Sequence, residues 1–330
     1  MSFWNGQRVL VTGGGGFIGS HLVEHLVANG AQVRTFVRYN SRGDIGLLSL
    51  LPPEIRSHIE VVAGDLRDLN AVKATLDEVD YLFHLGALIA IPYSYLHPAE
   101  VIETNILGTM NVLLAARDAG TQRIIHTSTS EVYGTALSVP IDESHPLQGQ
   151  SPYSASKIGA DKIVESFYCA YNTPVVTVRP FNTFGPRQSA RAVIPTIITQ
   201  ALTNCTVHLG NLDSRRDMTY VLDTVKGFIK AAEAPGVVGE TFNLGAGSEI
   251  RIGDLAKMII SLTGRPVKIV VDPTRMRPEK SEVQRLLSDN QLAKEKLGWA
   301  PQTSLTDGLK QTIDWVSGHL ERYQIGDYQI

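Results

Sequence analysis

The sequence predicts an α/β protein in which a doubly wound parallel sheet carries helices on both faces and is followed by a smaller α/β lobe. Two observations indicate this class. Short β-rich segments alternate with amphipathic segments through the first half of the chain, and a glycine-rich turn joins the first strand to the first helix. A chain of 330 residues that is 43% hydrophobic can bury the core that such a sheet requires.

Six segments have the composition of buried strands. They are residues 8–13, 32–37, 59–65, 81–87, 123–129 and 174–180. Amphipathic segments such as 20–29 and 100–118 lie between them, as expected for parallel strands linked by helical crossovers. After residue 181 this rhythm loosens. We therefore predict a first domain over residues 1–181, to which 218–245 return, and a second lobe over 182–330.

Composition and charge argue against several classes of function. The net charge of -3 is unlike that of a dedicated nucleic-acid-binding protein, and two cysteines cannot form a disulfide framework. The amino terminus lacks the basic and apolar regions of a signal peptide, and no run approaches the roughly 18 apolar residues of a membrane span. We expect a soluble cytoplasmic protein that binds neither nucleic acid nor membrane.

The segment VLVTGGGGFIGSHLVEHLVANG has the order strand, glycine turn and helix. Gly13, Gly16 and Gly19 are spaced three apart, and glycine allows a tight turn and a close approach of the backbone to a pyrophosphate at the helix start. The pattern predicts a dinucleotide-binding loop, in which Phe17 and Ile18 also contact the cofactor. A plain glycine-rich turn is the alternative.

The first helix also contains a pattern that resembles a metal site. His21, Glu24 and His25 match the H-x-x-E-H pattern of a class of metalloproteases. No third ligand is evident, and the buried stripe of the helix leaves the histidines on a different face. We therefore predict surface or half-buried histidines and no metal site.

The end of the second predicted strand indicates which dinucleotide binds. NAD enzymes usually place Asp or Glu about 20 residues after the glycines, where it binds the ribose 2′-OH. Here Val37 occupies that position, and Arg38, Asn40, Ser41 and Arg42 follow. A cation and small polar groups suit a 2′-phosphate, so the sequence favours NADP. NAD, with these residues as a solvated loop, is the alternative.

A later helix begins at Ser151-Pro152 and carries Tyr153 and Lys157 one turn apart on one face. A free tyrosine has a pKa of about 10 and is a poor base at neutral pH. A neighbouring ammonium and an oxidised nicotinamide both favour the phenolate, which can take a proton from an alcohol. We predict that both side chains are catalytic and contact the cofactor, with a surface pair as the alternative.

The strand at 123–129 ends in a cluster of hydroxyls and a carboxylate, in the sequence HTSTSEVYG. Parallel sheets of this type present functional groups at the carboxyl ends of their strands. Thr129, Ser130 and Glu131 are therefore candidate catalytic residues. Hydroxyl-rich ends of this kind also cap helices, so a structural cap is the alternative.

Together these motifs give the chain a family resemblance over nearly its whole length. TGGGGFIG, GDLRD, FHLGA, NILGT, STSEVYG, YSASK, RPFNTFGPRQ, RRDMTYVLD and FNLGAG resemble the extended short-chain dehydrogenase/reductases, the NAD(P)-dependent epimerase/dehydratase family, that modify nucleotide sugars. The resemblance implies a Rossmann-type fold. VRYNSRG and RPEKSEVQRLLSDN resemble dehydratases of UDP- or GDP-linked N-acetylglucosamine in legionaminic-acid-type pathways, and GDP-mannose 4,6-dehydratases, which use NADP, are near relatives.

The resemblance implies roles for the strand-end cluster. Thr129 binds the sugar 4-OH, Tyr153 takes its proton as the C4 hydride passes to the cofactor, and Glu131 removes the C5 proton. Water then leaves from C6 and the hydride returns there, giving a 4-keto-6-deoxy sugar. Glucose-type dehydratases carry Asp where this chain has Ser130. The proton source for the leaving water is therefore open, and Glu131 is one possibility.

The resemblance also implies a nucleotide-sugar site in the second lobe. Asn182 matches the family residue that binds the sugar-nucleotide phosphates. Arg187, Arg191, Arg216 and Arg277 are candidate partners of the diphosphate or nucleotide, because guanidinium groups offer bidentate donors. Of these, Arg216 and Arg277 match family positions best, whereas Arg187 and Arg191 could be surface residues.

Two further predictions concern the cofactor domain. Asp65 and Leu66 of GDLRD follow the third predicted strand and are expected near the adenine, although Asp65 could simply form a turn. Segments 100–118 and 152–171 are long amphipathic helices, and the resemblance suggests that they form a four-helix bundle across the two-fold axis of a homodimer.

The sequence thus predicts an NADP-dependent nucleotide-sugar 4,6-dehydratase that acts on an NDP-N-acetylglucosamine. A UDP-glucuronate decarboxylase, which shares the Thr-Ser-Glu cluster, and a 4-epimerase, which normally lacks the glutamate, are the alternatives. A non-enzymatic dinucleotide sensor would tolerate loss of Tyr153, Lys157 and Glu131, so their presence argues against it.

Overall fold

In the computed structural model, which describes residues 2–323, strands and helices alternate through the first half of the chain. The strands are β1 (Arg8–Thr12), β2 (Gln32–Arg38), β3 (Ile59–Gly64), β4 (Tyr81–His84), β5 (Arg123–Thr127), β6 (Val175–Pro180), β7 (Asn182–Phe184), β8 (Thr206–Leu209), β9 (Arg215–Tyr220), β10 (Thr241–Leu244), β11 (Glu249–Arg251) and β12 (Lys268–Val271). The α-helices are α1 (Phe17–Ala28), α2 (Pro53–Arg56), α3 (Leu69–Thr75), α4 (Ile91–Leu96), α5 (Pro98–Ile102), α6 (Gly108–Ala119), α7 (Pro152–Tyr171), α8 (Val193–Thr203), α9 (Val221–Glu233), α10 (Ile252–Thr263), α11 (Gln291–Leu297) and α12 (Leu305–Ser317).

Seven parallel strands form the main sheet in the order β10-β6-β5-β4-β1-β2-β3. The six predicted strands all lie in it, which confirms the predicted fold class. The seventh strand, β10, comes from the segment 218–245 and pairs with β6. Strand order reverses between β1 and β4, and open α/β sheets bind their ligands at such a switch point.

Alternate residues of the strands serve the two faces of this sheet. Val9 and Val11 of β1 belong to a core that packs against α1 and α9, whereas Leu10 belongs to a core that packs against α3, α6 and α7. Because helices cover both faces, the central strands are buried along almost their whole length, and β6 is buried at every position.

The helices differ from the predicted segments in two places. Helix α1 begins at Phe17, three residues before the predicted segment 20–29, because Gly16 forms its N-cap and accepts the N–H of Ser20. The predicted segment 100–118 is one helical run in which a π-helical turn, Glu103–Leu107, separates α5 from α6.

The rest of the chain forms smaller sheets with their own core. Strands β11, β9 and β7 form a three-stranded sheet, and β12 pairs with β8. Apolar side chains of α8, α10 and α12 pack together beside them. The domain boundary after residue 181 stays a prediction, and residues 324–330 of the predicted lobe lie outside the described part of the chain. No helix within residues 2–323 is both long and apolar enough to cross a membrane.

Candidate active site

The end of β5 leads into a short 3-10 helix, Ser130–Tyr133, which carries Ser130 and Glu131 of the predicted catalytic cluster. Thr129 is the N-cap of this helix, and its Oγ1 accepts the N–H of Glu131 at 3.2 Å. The capping interpretation of the cluster is therefore correct as far as Thr129 is concerned. The cap also has a consequence for chemistry, because it fixes Glu131 two residues beyond Thr129 and four beyond the end of β5.

Helix α7 brings the second predicted pair to the same place. Ser151 and Ser154 form a capping box at its start, and Pro152 occupies the first turn. Tyr153 and Lys157 lie on the buried face of the helix, with 7% and 4% of their surface exposed. The Lys157 Nζ donates to the backbone oxygen of Thr127 at 2.7 Å, which ties α7 to the end of β5.

Burial sets the protonation of this pair. It lowers the pKa of Lys157 to about 8, against the opposing charge of Asp161. Burial also raises the pKa of Tyr153, with a further increase from Glu131, although a hydrogen bond with Thr129 opposes the shift. The expectation that Lys157 depresses the pKa of Tyr153 is not met by the chain alone. A bound oxidised nicotinamide would supply a positive charge that favours the phenolate.

A cavity of about 650 Å³ collects the predicted residues from three parts of the chain. Its walls include Gly16 and Phe17 of the glycine loop, Thr129, Glu131 and Tyr153 of the catalytic segments, and Asn182, Arg187, Arg191 and Arg277 of the second half. Ser130 is 3% exposed and is not among the described residues that line this cavity. The hydroxyl of Ser130 is therefore a poor candidate for a group that touches the substrate.

A second cavity of about 240 Å³ adjoins the first and shares Asn182, Arg191 and Arg277 with it. Arg216 lines this second cavity, where its Nη2 donates to the Oε1 of Glu282 at 3.2 Å. The Oε2 of the same glutamate lies 3.9 Å from the Nε of Arg277. Two guanidinium groups thus converge on one carboxylate, which leaves excess positive charge at this end of the cleft.

Four buried atoms of residues that line these cavities have no protein partner among residues 2–323. They are Oδ1 of Asn182, Nη1 of Arg187, Oε1 of Gln188 and Nη1 of Arg277. A buried polar atom without a partner is costly, so its usual explanation is a ligand or a water. Asn182, Gln188 and Arg277 lie at the junction of the two cavities, where the family resemblance predicts the substrate phosphates.

The remaining two arginines differ from this pair. Arg187 donates from Nη2 to Oε2 of Glu24 on α1 at 2.6 Å and adopts a left-handed backbone with φ of 70°. It therefore joins the loop after β7 to α1 while it lines the large cavity. Arg191 is exposed at the junction of the two cavities. Its place in the site is open to a phosphate but is not fixed by a protein partner in the described chain.

The glycine loop leaves no room for side chains. A Cβ on Gly13, whose φ is 73°, would lie 2.8 Å from the backbone nitrogen of Gly86, and one on Gly19 would collide with the carbonyl oxygen of Gly13. Gly16 precedes α1, and Phe17 and Ile18 form its first turn. The backbone amides at the helix start are thus accessible to a pyrophosphate, and the residues present fit a dinucleotide.

A pocket of about 140 Å³ beside this loop includes Gly13, Arg38, Asp65 and Leu66 among its lining residues. Most of its wall is apolar or backbone, which suits an adenine ring. Asp65 also accepts the backbone N–H of Arg67 and its guanidinium, and these contacts lower the pKa of the carboxyl. Asp65 therefore both forms the turn and lines the pocket.

The residues after β2 have different surroundings. Arg38 donates from Nη2 to Oε1 of Glu100 at 3.0 Å, and 62% of its side chain is exposed. The side chain of Asn40 accepts the backbone N–H of Arg42 and of Asp44, so it shapes the loop. Ser41 and Arg42 are exposed. Arg38 is therefore the member of the predicted set that reaches the adenosine pocket.

The histidine pattern on α1 does not form a metal site. His21 is buried, contrary to the expectation of a surface or half-buried residue, because its Nε2 lies 3.0 Å from the carbonyl oxygen of Pro186. Burial lowers its pKa to about 4. Within residues 2–323, no group of three His, Cys, Asp or Glu side chains could hold a metal ion.

Several wall residues were missed by the sequence analysis. They are Gln188, Glu282, Trp315, Arg322, Tyr323 and residues 89–92 at the start of α4. Glu282 lies in the quoted segment RPEKSEV and could have been recognised as a partner for nearby arginines. Trp315 and Tyr323 carried no signal, because the packing of α12 against α8, α10 and β9 brings this part of the chain to the cavity.

Comparisons with known proteins agree with this geometry. Residues 10–312 match the family model described as GDP-mannose 4,6 dehydratase. The dTDP-D-glucose 4,6-dehydratase of Mus musculus is 32% identical over 318 residues, which cover 94% of this chain and 88% of that protein. The chain is therefore similar to nucleotide-sugar dehydratases along almost its whole length.

Two solved structures share the fold. The dTDP-glucose 4,6-dehydratase of Streptomyces venezuelae, determined with NAD bound, superimposes with a TM-score of 0.86 at 31% identity and covers 96% of this chain and 99% of that one. The UDP-N-acetylglucosamine 4-epimerase of Methanobrevibacter ruminantium gives 0.85 at 28% identity, with coverage of 96% and 99%. Dehydratases and epimerases are thus both similar to this chain.

Proposed function

The chain belongs to the GDP-mannose 4,6 dehydratase family of extended short-chain dehydrogenase/reductases, and on this basis we propose that it is a nucleotide-sugar 4,6-dehydratase. The observation that carries the proposal is the position of Glu131, which lines the same cavity as Thr129 and Tyr153. Oxidation of a sugar at C4 needs only the tyrosine and the cofactor. Removal of a proton from C5 needs a second base, and Glu131 is in place to be that base.

The first chemical step concerns the 4-hydroxyl. The bound dinucleotide supplies the acceptor of the C4 hydride and later its donor. Thr129 and Tyr153 hold the hydroxyl, and Tyr153 accepts its proton. Lys157, fixed by the carbonyl oxygen of Thr127, places a positive charge beside the developing phenolate.

The second step is the elimination. A ketone at C4 makes the C5 proton acidic, and Glu131 removes it. Ser130 does not line the cavity, so the proton that the leaving 6-hydroxyl needs comes from the newly protonated Glu131. One carboxyl group then acts as base and as acid in turn, because the proton that it accepts from C5 is the proton that it donates to the leaving 6-hydroxyl. When the hydride returns to C6, C5 takes up a proton from solvent, and this completes the 4-keto-6-deoxy sugar.

The substrate that we propose is an NDP-hexose, with NDP-N-acetylglucosamine as the sugar. Arg216, Arg277 and Asn182 supply the positive charge and the free polar atoms that a diphosphate needs. The sugar then lies between these residues and Tyr153 in the larger cavity. The acetamido substituent rests on the sequence resemblance and on the similarity to a UDP-N-acetylglucosamine enzyme.

For the cofactor we propose NADP, because Val37 provides no carboxylate for the ribose and Arg38 lies at the adenosine pocket. NADP(H) should therefore be released in preference to NAD(H) when the purified protein is denatured. Recovery of NAD(H) alone would overturn this assignment. The similar dehydratase of Streptomyces venezuelae was determined with NAD, so the experiment separates two real alternatives.

A second candidate function is a nucleotide-sugar 4-epimerase, which the similarity to the Methanobrevibacter enzyme favours. Incubation with a panel of UDP-, GDP-, CDP- and dTDP-sugars, followed by mass spectrometry, distinguishes the candidates. A dehydratase gives a product that has lost water, and a decarboxylase gives one that has lost carbon dioxide. An epimerase gives a product of unchanged mass, and that result would contradict the proposal.

We also propose a homodimer in which the α5–α6 run and α7 pair with their copies in a four-helix bundle. Ile102 and Leu107 on the first run and Tyr168 on α7 are exposed apolar side chains that such a bundle would cover. A monomer at micromolar concentration in light scattering would contradict it.

We place the protein in the cytoplasm, because Cys169 and Cys205 are both free and exposed.

A further inference from the structure

One buried carboxylate lies behind the proposed catalytic residues and has no part in the mechanism above. Asp161 is on α7, one helical turn beyond Lys157 and two turns beyond Tyr153, so all three share one face of the helix. It is 7% exposed. A charge buried to this extent is stable only if its oxygens are fully bonded, so its partners indicate what it does.

The partners of Asp161 come from two neighbouring strands. Its Oδ2 accepts the hydroxyl of Ser128 at 2.8 Å and the Nη2 of Arg179 at 3.1 Å. Its Oδ1 lies 3.1 Å from Nε2 of His126. Nδ1 of His126 is buried without a partner in the described chain, so the ring proton is on Nε2 and is donated to Asp161. The Asp161 carboxylate thus binds β5, which leads into the turn with Thr129 and Glu131, and β6, the next strand of the sheet.

The bonds to β5 alternate between the two helical residues. His126 and Ser128 are bound by Asp161, and the carbonyl oxygen of Thr127 between them is bound by Lys157. Three consecutive residues are therefore attached to α7 immediately before Thr129 begins the turn that carries Glu131. Beyond this junction, the side-chain hydrogen bond between Tyr153 and Thr129 also joins α7 to the strand end.

We propose that Asp161 is the positioning residue that fixes the register of the Thr129–Glu131 turn against Tyr153 on α7. The inference rests on the proposed use of Tyr153 in oxidation of the sugar. The carboxylate acts through Ser128 and His126 on the acidic turn and through its charge on Lys157. It touches neither substrate nor cofactor.

The charge of Asp161 also affects when Lys157 is protonated. The groups that face Lys157 are Asp161 on α7, His84 on β4 and His126 on β5, and Arg179 on β6 faces it across Asp161. Burial lowers the pKa of both histidines, so they are neutral and Asp161 is the anion of the group. Loss of that anion should lower the pKa of Lys157 further below 8 and destabilise its ammonium beside the tyrosine phenolate.

A crevice gives solutes access to this carboxylate. A cavity of about 240 Å³ between α7, β6 and the edge strand β10 is lined by Asp161 and Arg179 together with Glu143 and Thr177. The substitution Asp161→Ala would enlarge this cavity beside Arg179. A small carboxylate such as formate could then occupy the position of the missing side chain, which provides a test by chemical rescue.

The test measures C4 oxidation in single turnover on the purified protein as it carries its own cofactor, over a range of pH. For Asp161→Asn we expect a plateau roughly tenfold below wild type, reached at a midpoint shifted by about one unit to lower pH, as for loss of a nearby opposite charge. The control is Glu165→Gln, one turn further along α7, where the exposed Glu165 pairs only with Lys162 and no change is expected. Thermal melting and cofactor content establish that each variant is folded.

Two further variants guard against loss of folding. Ser128→Ala removes one hydrogen bond and no charge, so the rate should fall a few-fold at an unchanged midpoint. Asp161→Ala should regain activity in formate, whereas wild type and Glu165→Gln should not respond. A wild-type rate and midpoint in Asp161→Asn, a wild-type rate in Ser128→Ala, or folded Asp161→Ala without rescue would each overturn the proposal. Failure of the proposed C4 oxidation is distinct, because wild type itself would then oxidise no nucleotide sugar.

Discussion

The two ends of the cofactor site differ in how their polar residues are held. At the catalytic end, Tyr153 and Lys157 are almost fully buried, and the ammonium of Lys157 has a fixed partner in the backbone of β5. At the adenosine end, 62% of the Arg38 side chain is exposed, and its partner Glu100 is half-buried. Burial requires each polar group to find a partner, whereas an exposed group has water as an equivalent choice. Substitutions should therefore be far more damaging at the first end.

The largest effect is expected from Tyr153→Phe. Removal of the phenol hydroxyl leaves no group to accept the 4-OH proton, so the rate should fall by roughly 10²–10⁴-fold, the usual range for losing one acid–base group. Neither reduced cofactor nor product should form, which absorbance at ~340 nm and mass spectrometry can check. The control is Tyr171→Phe at the exposed end of the same helix. Activity within tenfold of wild type in Tyr153→Phe would remove the tyrosine from the mechanism.

The next effect concerns the phosphate end of the cleft. Arg277→Ala removes a charged donor with a buried free Nη1, so KM should rise about 10- to 100-fold, as expected for a hydrogen bond to a charged group. The value of kcat should change much less, because the diphosphate does not react. Arg265→Ala, at an exposed arginine after α10, serves as the control in the same steady-state assay. An unchanged KM for Arg277→Ala would place the diphosphate elsewhere.

A smaller effect is expected at the exposed adenosine end. Arg38→Ala should weaken NADP about tenfold and leave NAD nearly unchanged, because only the former carries the 2′-phosphate. Glu100→Gln should act in the opposite direction and tighten NADP a few-fold, since it releases Arg38 from its ion pair. Calorimetric titration of both cofactors checks the pair of variants. Equal losses for NAD and NADP in Arg38→Ala would mean that the arginine does not distinguish them.

The smallest effect is a dependence on pH at the buried end. The pKa of Lys157 is about 8 and that of Tyr153 lies higher, so the pair loses its first proton as the pH rises through 8. Above this pH the pair keeps one proton. The arrangement with that proton on Lys157 leaves a phenolate at Tyr153, and this arrangement accepts the alcohol proton. The rate of C4 oxidation should therefore rise about eightfold between roughly pH 7 and pH 8.5. A rate that falls over this interval would contradict the assignment.

The same contrast explains what the sequence could and could not predict. The six central strands, the glycine loop and the start of α7 were predictable, because their patterns are local. Thr129 and Glu131 were also predictable as site residues, because they follow a strand at the carboxyl edge of the parallel sheet. The tie between Arg187 and Glu24 and the burial of His21 were not predictable, because both depend on the loop after β7 folding back onto α1.

Other features depended on contacts that join distant parts of the chain. Asp161 reads as an ordinary helical carboxylate until β5 and β6 place His126, Ser128 and Arg179 around it. Arg38 is a second case. The sequence suggested a free cation, whereas in the structure Glu100 on α5 is its partner. Local pattern thus identifies the buried chemistry, whereas the partners of charged residues require the fold.

The role of Glu131 is tested most directly by a single substitution, Glu131→Gln, which preserves shape and removes the base. Tyr153, Lys157 and Thr129 remain, so C4 oxidation should still occur and reduced cofactor should accumulate at ~340 nm. Elimination should slow by roughly 10²–10⁴-fold. Wild type in heavy water should place deuterium at C5, because the original C5 proton leaves with the water and the proton that C5 regains comes from solvent. Turnover of Glu131→Gln at the wild-type rate would show instead that the turn after β5 is only a structural cap.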